Sequence, residues 1–350
     1  MKQKVVSGVQ RVVNLYRPST LVENGWVWAT GLFVATYIII VLILGFLWNT
    51  EPDPFDVREV AGQSLGLSNT DLVVGATTTA TMIHIGDVLL TKRGGYLSND
   101  IAPPGVFMDN QPNWEFGALV MLRDAAGALR NNWARSQSQS LEDKDLALAE
   151  PLLNFDNNSW ILPSTEGEYQ TAIDRLSDYR ARLSDTHVQN AQFFARADNL
   201  KQYLDIVSKR LGSLSQRLSA SVGQIRVNTD LANDADAKQS TQTSKMVIVK
   251  TPWLELDDVF YEARGSSWAL VHLLKAIEID FASILSKKNA VISLRQIIRE
   301  LEATHASTVS PIILNGSGFG IFSNYSLTMA NYVSRANAAI IDLRNLLEQG

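Results

Sequence analysis

A run of 23 residues from Trp26 to Trp48, WVWATGLFVATYIIIVLILGFLW, carries no charge and no proline. A helix rises about 1.5 Å per residue, so the run is roughly 34 Å long and crosses a hydrocarbon core with some tilt. Trp26, Trp28 and Trp48 stand where aromatic side chains meet the two headgroup layers. The run reads as a transmembrane helix and leaves about 300 residues to fold beyond it.

Charge is divided unevenly around this run. Residues 1–25 hold Lys2, Lys4, Arg11 and Arg17 against Glu23, a net of +3, while the rest of the chain carries a net of −8. The positive-inside rule places the N-terminus in the cytoplasm and the main domain across the membrane. A cleaved signal peptide would have a shorter apolar region followed by a small-residue cleavage site, whereas here FLWNTEPDPFD follows. An uncleaved anchor is expected. The absence of cysteine excludes disulfides, thiolate metal sites and cysteine nucleophiles, and fits a periplasmic domain of the bacterial inner membrane held by its core alone.

Before the span, Val5, Val6, Val9, Val12, Val13 and Tyr16 recur at helical spacing, with Lys2, Lys4 and Arg11 off that face. The pattern suits either a solvated basic flank or an amphipathic helix lying on the inner leaflet, ended by Pro18. After the span, Glu51-Pro52-Asp53-Pro54 reads as a stiff tether. Leu65 to Ile85 is ambiguous, because Asn69 or Thr70 could cap a helix while Thr77–Thr79 and Thr81 are β-branched. Helix is expected up to a C-cap at Arg93-Gly94-Gly95, then over Trp114–Trp133 and Leu141–Leu153, and onward from a cap at Ser164-Thr165. From Phe193 through Ala197, Leu200, Leu204, Val207, Leu211, Leu214 and Leu218 the apolar spacing alternates four and three. That is a heptad seam, which pairs either within the chain or with a second copy. Further helices are expected over Leu256–Arg264, Trp268–Leu285, Asn289–Ala303 and Ser326–Glu348, and no alternating strand stands out.

Two sets of words recur. Asp87-Val88 with Arg93-Gly94 returns as Asp258-Val259 with Arg264-Gly265, and Ala118–Leu122 returns as Ala269–Leu273. A duplication would give two helical subdomains. The resulting division is a basic amphipathic segment (1–25), a transmembrane helix (26–48), a tether (49–64), a first helical subdomain (65–184), a long heptad-patterned helix (185–227), a polar linker (228–245) and a second helical subdomain (246–350). The fold class is all-α.

Catalytic signatures are scarce. His84, His187, His272 and His305 have no metal-ligand spacing, and the His84/Asp87 pair lacks further ligands. Asp156-Asn157-Asn158 lacks the acid spacing and glycine of a calcium loop and reads as a turn. Asn315–Gly320 lacks the strand and lysine of a phosphate loop, and the acid pairs Glu166/Glu168, Asp257/Asp258 and Glu300/Glu302 fall in helix first turns or on polar faces. No cofactor is expected. Nucleic acid is disfavoured by the acidic exported part.

Gly94–Asp100, Pro103-Pro104-Gly105, Pro112–Gly117, Arg135–Ser140 and Asn154–Asn157 together resemble a bacterial family catalogued as domain of unknown function 2333. The resemblance covers most of the chain and implies a Gram-negative envelope protein, with no activity attached. These polar words make Tyr96, Asn99, Asp100, Trp114, Ser136 and Ser138 the expected interaction surface. The reading is a membrane-anchored, non-catalytic scaffold or accessory subunit that binds the lipid bilayer and an envelope partner or itself. The alternative is a helical ligand-binding or sensor domain acting through a membrane partner, and an envelope hydrolase ranks third.

Overall fold

A computed structural model describes residues 10, 14–65, 72–136, 140–185, 187, 190–228, 244–308, 310, 312–317 and 320–349. Most of the N-terminal amphipathic pattern, the Asn69/Thr70 caps, Ser138, Gly318-Phe319 and most of the polar linker lie outside these residues. The protein is 70% helical with one small two-stranded sheet.

The long apolar helix, α1 (Pro18–Trp48), starts with proline at its first position, where the missing N–H costs nothing, and its backbone breaks at Gly25 (φ 82°, ψ 166°). Asn14 and Leu15 are helical while Tyr16 and Arg17 are not, so the chain leaves a helical stretch just before Pro18, as expected, and Pro18 opens the next helix. None of its side chains is buried, and by length and composition it can cross a membrane. The helices that follow are α2 (Val57–Leu65), α3 (Ala76–Thr91), α4 (Asn110–Ala128), α5 (Leu146–Leu153), α6 (Thr165–Ser184) and α7 (Ala197–Ser219). An antiparallel hairpin of β1 (Gln224–Val227) and β2 (Met246–Val249) comes next, then α8 (Leu256–Asp280), α9 (Ala282–Lys287), α10 (Val291–Glu302) and α11 (Tyr325–Glu348).

The spine is α4 against α8. Contacts run in step from Asn113–Asp258 (2.8 Å) at one end to the Trp133 and Phe281 rings (5.8 Å apart) at the other, so the two helices are parallel. They meet at backbone distance. A Cβ on Gly117 would overlap the Glu262 carbonyl, and one on Gly265 would overlap the Trp114 carbonyl. Ser266 Oγ donates to the Gly117 oxygen, and the Trp114 and Trp268 rings lie 5.1 Å apart beside the crossing. This contact explains why α8 runs unbroken through Gly265-Ser266-Ser267, where the sequence suggested two helices. The small residues are a close-packing site, not a stop.

Helices α3, α5 and α6 cover one side of the spine, and α7, α10 and α11 the other. The heptad seam pairs within the chain. Leu200, Leu204, Val207, Leu211, Leu214 and Leu218 are buried, and α7 runs antiparallel to α11 through Ser208–Asn337 (2.9 Å) and the pairs Arg344–Asp205 and Lys201–Glu348. The helix is shorter than the 185–227 segment expected. Phe193, counted in the seam, precedes it and packs on Trp133 and Phe281.

The ambiguous threonine stretch is helical because of a distant residue. Asp280, at the end of α8, accepts from Thr78 N (2.7 Å) and Thr78 Oγ1 (2.6 Å), supplying the N-terminal cap that Gly75 cannot. Ser164 caps α6 as expected, accepting from Gly167 N. The repeated words at Ala118–Leu122 and Ala269–Leu273 fall on the two spine helices. Arg93-Gly94 lies in a turn after α3, however, whereas Arg264-Gly265 lies inside α8. The buried side chains of both halves form one continuous core.

The crossing makes a direct prediction. Gly117→Ala should cost more than about 2 kcal/mol because the clash is with backbone, lowering Tm by several degrees. Gly127→Ala, in the last turn of α4 where the chain continues helically through Leu129–Trp133, has open space at its Cβ and should instead gain about 0.5–1 kcal/mol. Thermal unfolding of both variants checks this; equal shifts would contradict the contact.

Candidate functional site

The end of α1 is seated on the body rather than joined to it by a free tether. Gly94 adopts φ 90° in the turn after α3, and a side chain there would overlap the Trp48 indole; glycine lets the ring lie against the turn. Gly45 packs on Pro104. Three residues past Trp48, both Glu51 carboxylate oxygens accept from Arg264, from Nε and Nη2 at 2.6 Å each. The remaining Nη1 donates to the Thr304 and Ala306 carbonyls at 3.0 Å. Each of the three guanidinium nitrogens thus donates, four bonds in all, as suits a buried arginine.

Four residues further on, Phe55 stacks on the His272 ring at 3.9 Å, with His84 edge-on at 4.3 Å and Trp268 at 5.7 Å. The Phe55 N–H donates to His272 Nε2 (3.0 Å), and His272 Nδ1 donates to the Trp268 carbonyl (2.7 Å). That pair of bonds requires a neutral ring protonated on Nδ1. Burial pushes the His272 pKa down to about 4, as it does for His305, while His84 is also lowered by burial. The segment read as a tether is a clasp.

A second connection ties the turn at 94–100 to α4. Buried Glu115 accepts from Leu97 N (2.9 Å), Ser98 N (2.9 Å), Ser98 Oγ (2.6 Å) and Lys92 Nζ (2.6 Å). Burial raises the Glu115 pKa, and Lys92 with the three donors opposes that rise. Tyr96 donates to the Asn157 carbonyl (3.1 Å) and Asn99 Nδ2 to the Ser159 carbonyl (2.9 Å) and Glu166 (2.7 Å). Tyr96, Asn99 and Trp114 are therefore buried struts, and the expected interaction surface is corrected accordingly. Asp100 is half-buried nearby, and Ser136 lies exposed at the far end beside Arg196, which donates to its carbonyl. Polar residue type is a poor guide to exposure where internal partners exist, as for Tyr96 and Asn99, while Trp114 is buried by packing against Trp268.

Asp109, Asp257 and Asp258 gather at the end opposite Ser136, where α4 and α8 begin. Burial first, then repulsion from Asp109 and Asp257, raises Asp258 to about 6, and Asn113 Nδ2 donates to it. Among the described residues no three His, Asp or Glu side chains are placed to hold a metal ion. His84 faces Phe55, and Asp87 lies near Arg180. Asp156 accepts from Asn158 N (3.0 Å) as a turn residue does, and Asn324, closing the loop after Asn315, caps α11 through Leu327 N (2.8 Å).

Glu51, Phe55, Arg264 and His272 were not brought together from sequence: Glu51 was read as part of a tether, Arg264 as part of a repeated word and His272 only as a histidine without metal-ligand spacing. The available signal was Arg264 itself, a cation inside an otherwise apolar helix face of Phe260, Ala263 and Trp268, which demands a partner. A family model described as an uncharacterised protein conserved in bacteria, DUF2333, matches residues 21–350. The chain belongs to this family. No curated protein and no solved structure matches the DUF2333 chain.

The clasp predicts a pH dependence. The unfolded chain protonates His272 near pH 6.5 and the folded DUF2333 protein only near 4, so between these values the unfolded state binds more protons. Stability should fall as pH drops from 6.5 to 4, by about 3 kcal/mol from this group, and level off below. Denaturant midpoints across pH 4–7 measure the slope, and His272→Gln should flatten it by about one proton.

Proposed function

We propose that this DUF2333 protein is a single-span protein of the bacterial inner membrane, with its N-terminus in the cytoplasm and its helical body in the periplasm. There it acts without catalysis, as a scaffold or accessory subunit binding other envelope components. The observation that carries the reading is the clasp. A bidentate Glu51–Arg264 pair and the Phe55–His272 stack fix the body at a set angle on the end of α1. A fixed attitude relative to the membrane matters for holding partners in place; it adds nothing to capturing a diffusing substrate. The net of +3 before the span against −8 after it supports the orientation. The buried charged groups Glu115, Asp280 and Arg264 support the absence of catalysis, since each is held by internal bonds.

A helical ligand-binding domain is the second reading, favoured by an open groove of about 400 Å³ between α4 and α7. Its floor includes Phe116, Val120, Ile206 and Leu214, and Arg210–Asp124 (2.7 and 2.9 Å) and Arg217–Glu262 pairs stand at its rim.

Photo-crosslinking residues placed at the exposed Leu148 and Ile292 should trap a discrete protein in intact cells. Glu51→Ala, which loosens the clasp, should weaken that crosslink by several-fold while the chain stays in the membrane fraction. No protein adduct at either site, self included, would count against the scaffold, and an adduct indifferent to Glu51→Ala would remove the clasp from the argument.

A further inference from the structure

Exposed large apolar side chains occur at both ends of the body, with Leu141 and Ile292 at the far end, but those at the end where α1 arrives come from several separate loops. The N-terminus of α4 lies beside Val41–Asn49 of α1, and α8, being parallel to α4, brings Trp253-Leu254 to the same end. Helix α6 runs antiparallel to α3, with Gly86 against Ile173, so the loop Trp160–Leu162 ahead of α6 also lies there, tied to Asn99 through Ser159. Helix α7 runs antiparallel to α4, and α11 antiparallel to α7, which delivers the hairpin and the Ile321-Phe322 turn to this end as well. The tips are among the barest apolar residues of the chain: Phe107 is 76% exposed, Leu162 90%, Leu254 76% and Ile321 100%.

One of these tips sits at a depth that α1 itself sets. Phe107, with Pro104 and Met108, lines a cavity of about 390 Å³ whose other wall is Val41, Leu42, Gly45 and Phe46. Val41 is about 10 Å along the helix before Trp48, the residue at the headgroup level. If Val41 is in hydrocarbon, Phe107 beside it is below the headgroups too.

We propose that this end of the body is a second membrane contact, continuous with the span, in which the loop around Phe107 and the tips at Leu162, Leu254 and Ile321 enter the outer leaflet of the same bilayer. The proposal rests on the reading of α1 as a membrane span. The occupant is lipid and not a protein partner, because the surface continues directly from the lipid-facing side of α1 and shares a wall with it. The contact is apolar, not electrostatic. Asp109, Asp257 and Asp258 lie at this end and would repel anionic headgroups, so insertion does not depend on a high anionic lipid fraction. Partial insertion of Trp, Phe and Leu side chains is what interfacial membrane contacts use.

The chain has no cysteine, so single-site labelling needs no background removal. Cysteine is placed at Ile39 in the span, at Phe107, Leu162 and Leu254 in the proposed contact, and at Leu141 and Ile292 as exposed sites at the far end. Each full-length variant that keeps the parent Tm is labelled with a small fluorophore and reconstituted into phosphatidylethanolamine vesicles with low or high phosphatidylglycerol, carrying a spin-labelled acyl chain as quencher. The expected result is strong quenching at positions 39, 107, 162 and 254, at least three-fold above that at 141 and 292, at either lipid charge. On the unlabelled protein, Trp253→Phe should remove part of the lipid-quenched tryptophan emission. Quenching at 39 with none at 107, 162 and 254 overturns the proposal and leaves the anchor standing. No quenching at 39 overturns the anchor and the proposal with it. Shielding of the tips that appears only at high protein density, without lipid quenching, assigns the surface to a second copy and also overturns the proposal.

Discussion

The close approach of α4 and α8 decides most of the architecture. Two helices whose backbones touch at Gly117 and Gly265 cannot slide or rotate past one another, because any side chain at either position would strike a carbonyl. Their parallel course then brings both N-termini to the end where α1 arrives. Parallel neighbours cannot be joined by a short loop, so the chain must travel out and back between them. That return is made by α5, α6 and α7, whose apolar faces cover the spine. The flanking layers follow from the crossing.

Buried polar chemistry holds the ends of these helices in register. Asp280 caps α3 from across the core at the far end; Glu115 gathers the turn at Leu97-Ser98 at the near end; Arg264 reaches Glu51 and two carbonyls. Each is a charged group taken out of water and given several partners, the condition under which burial is tolerated and removal of one partner becomes costly. These connections are long in sequence and short in space. They specify how the layers meet, whereas the leucine-rich seam of α7 and α11 specifies only that they meet.

That division explains what could be read from the sequence. Periodicity and apolar run length are local properties, and the long apolar helix, the Ser164 cap and the Leu200–Leu218 seam were legible for that reason. The end of the helix at Ala76–Thr91 was read as helix, but its first half was not, since its threonines oppose helix and its cap lies 202 residues away in Asp280. The four-residue strands Gln224–Val227 and Met246–Val249 are too short to show alternation against background, and each needs the other to exist. Gly265-Ser266-Ser267 carries the composition of a break and the function of a contact, a distinction that only the facing helix makes. Of the expected interaction surface, Tyr96 and Asn99 proved internal because sequence shows polarity but not partnership, and Trp114 because its ring packs on Trp268.

The clasp also separates two physical roles that a chain of this kind can give to the residues after a long apolar helix. A flexible tether leaves the body free to tumble, and its orientation then carries no information. Here Glu51 and Phe55 are fixed within seven residues of Trp48, each by contacts to a different part of α8, Arg264 and His272, two turns apart. Two anchoring points on one rigid helix define a direction as well as a distance. Because α8 is itself locked to α4, that direction extends through the spine to the whole body. A change at Glu51 or Phe55 therefore acts on the attitude of every surface the body presents, including surfaces far from the junction.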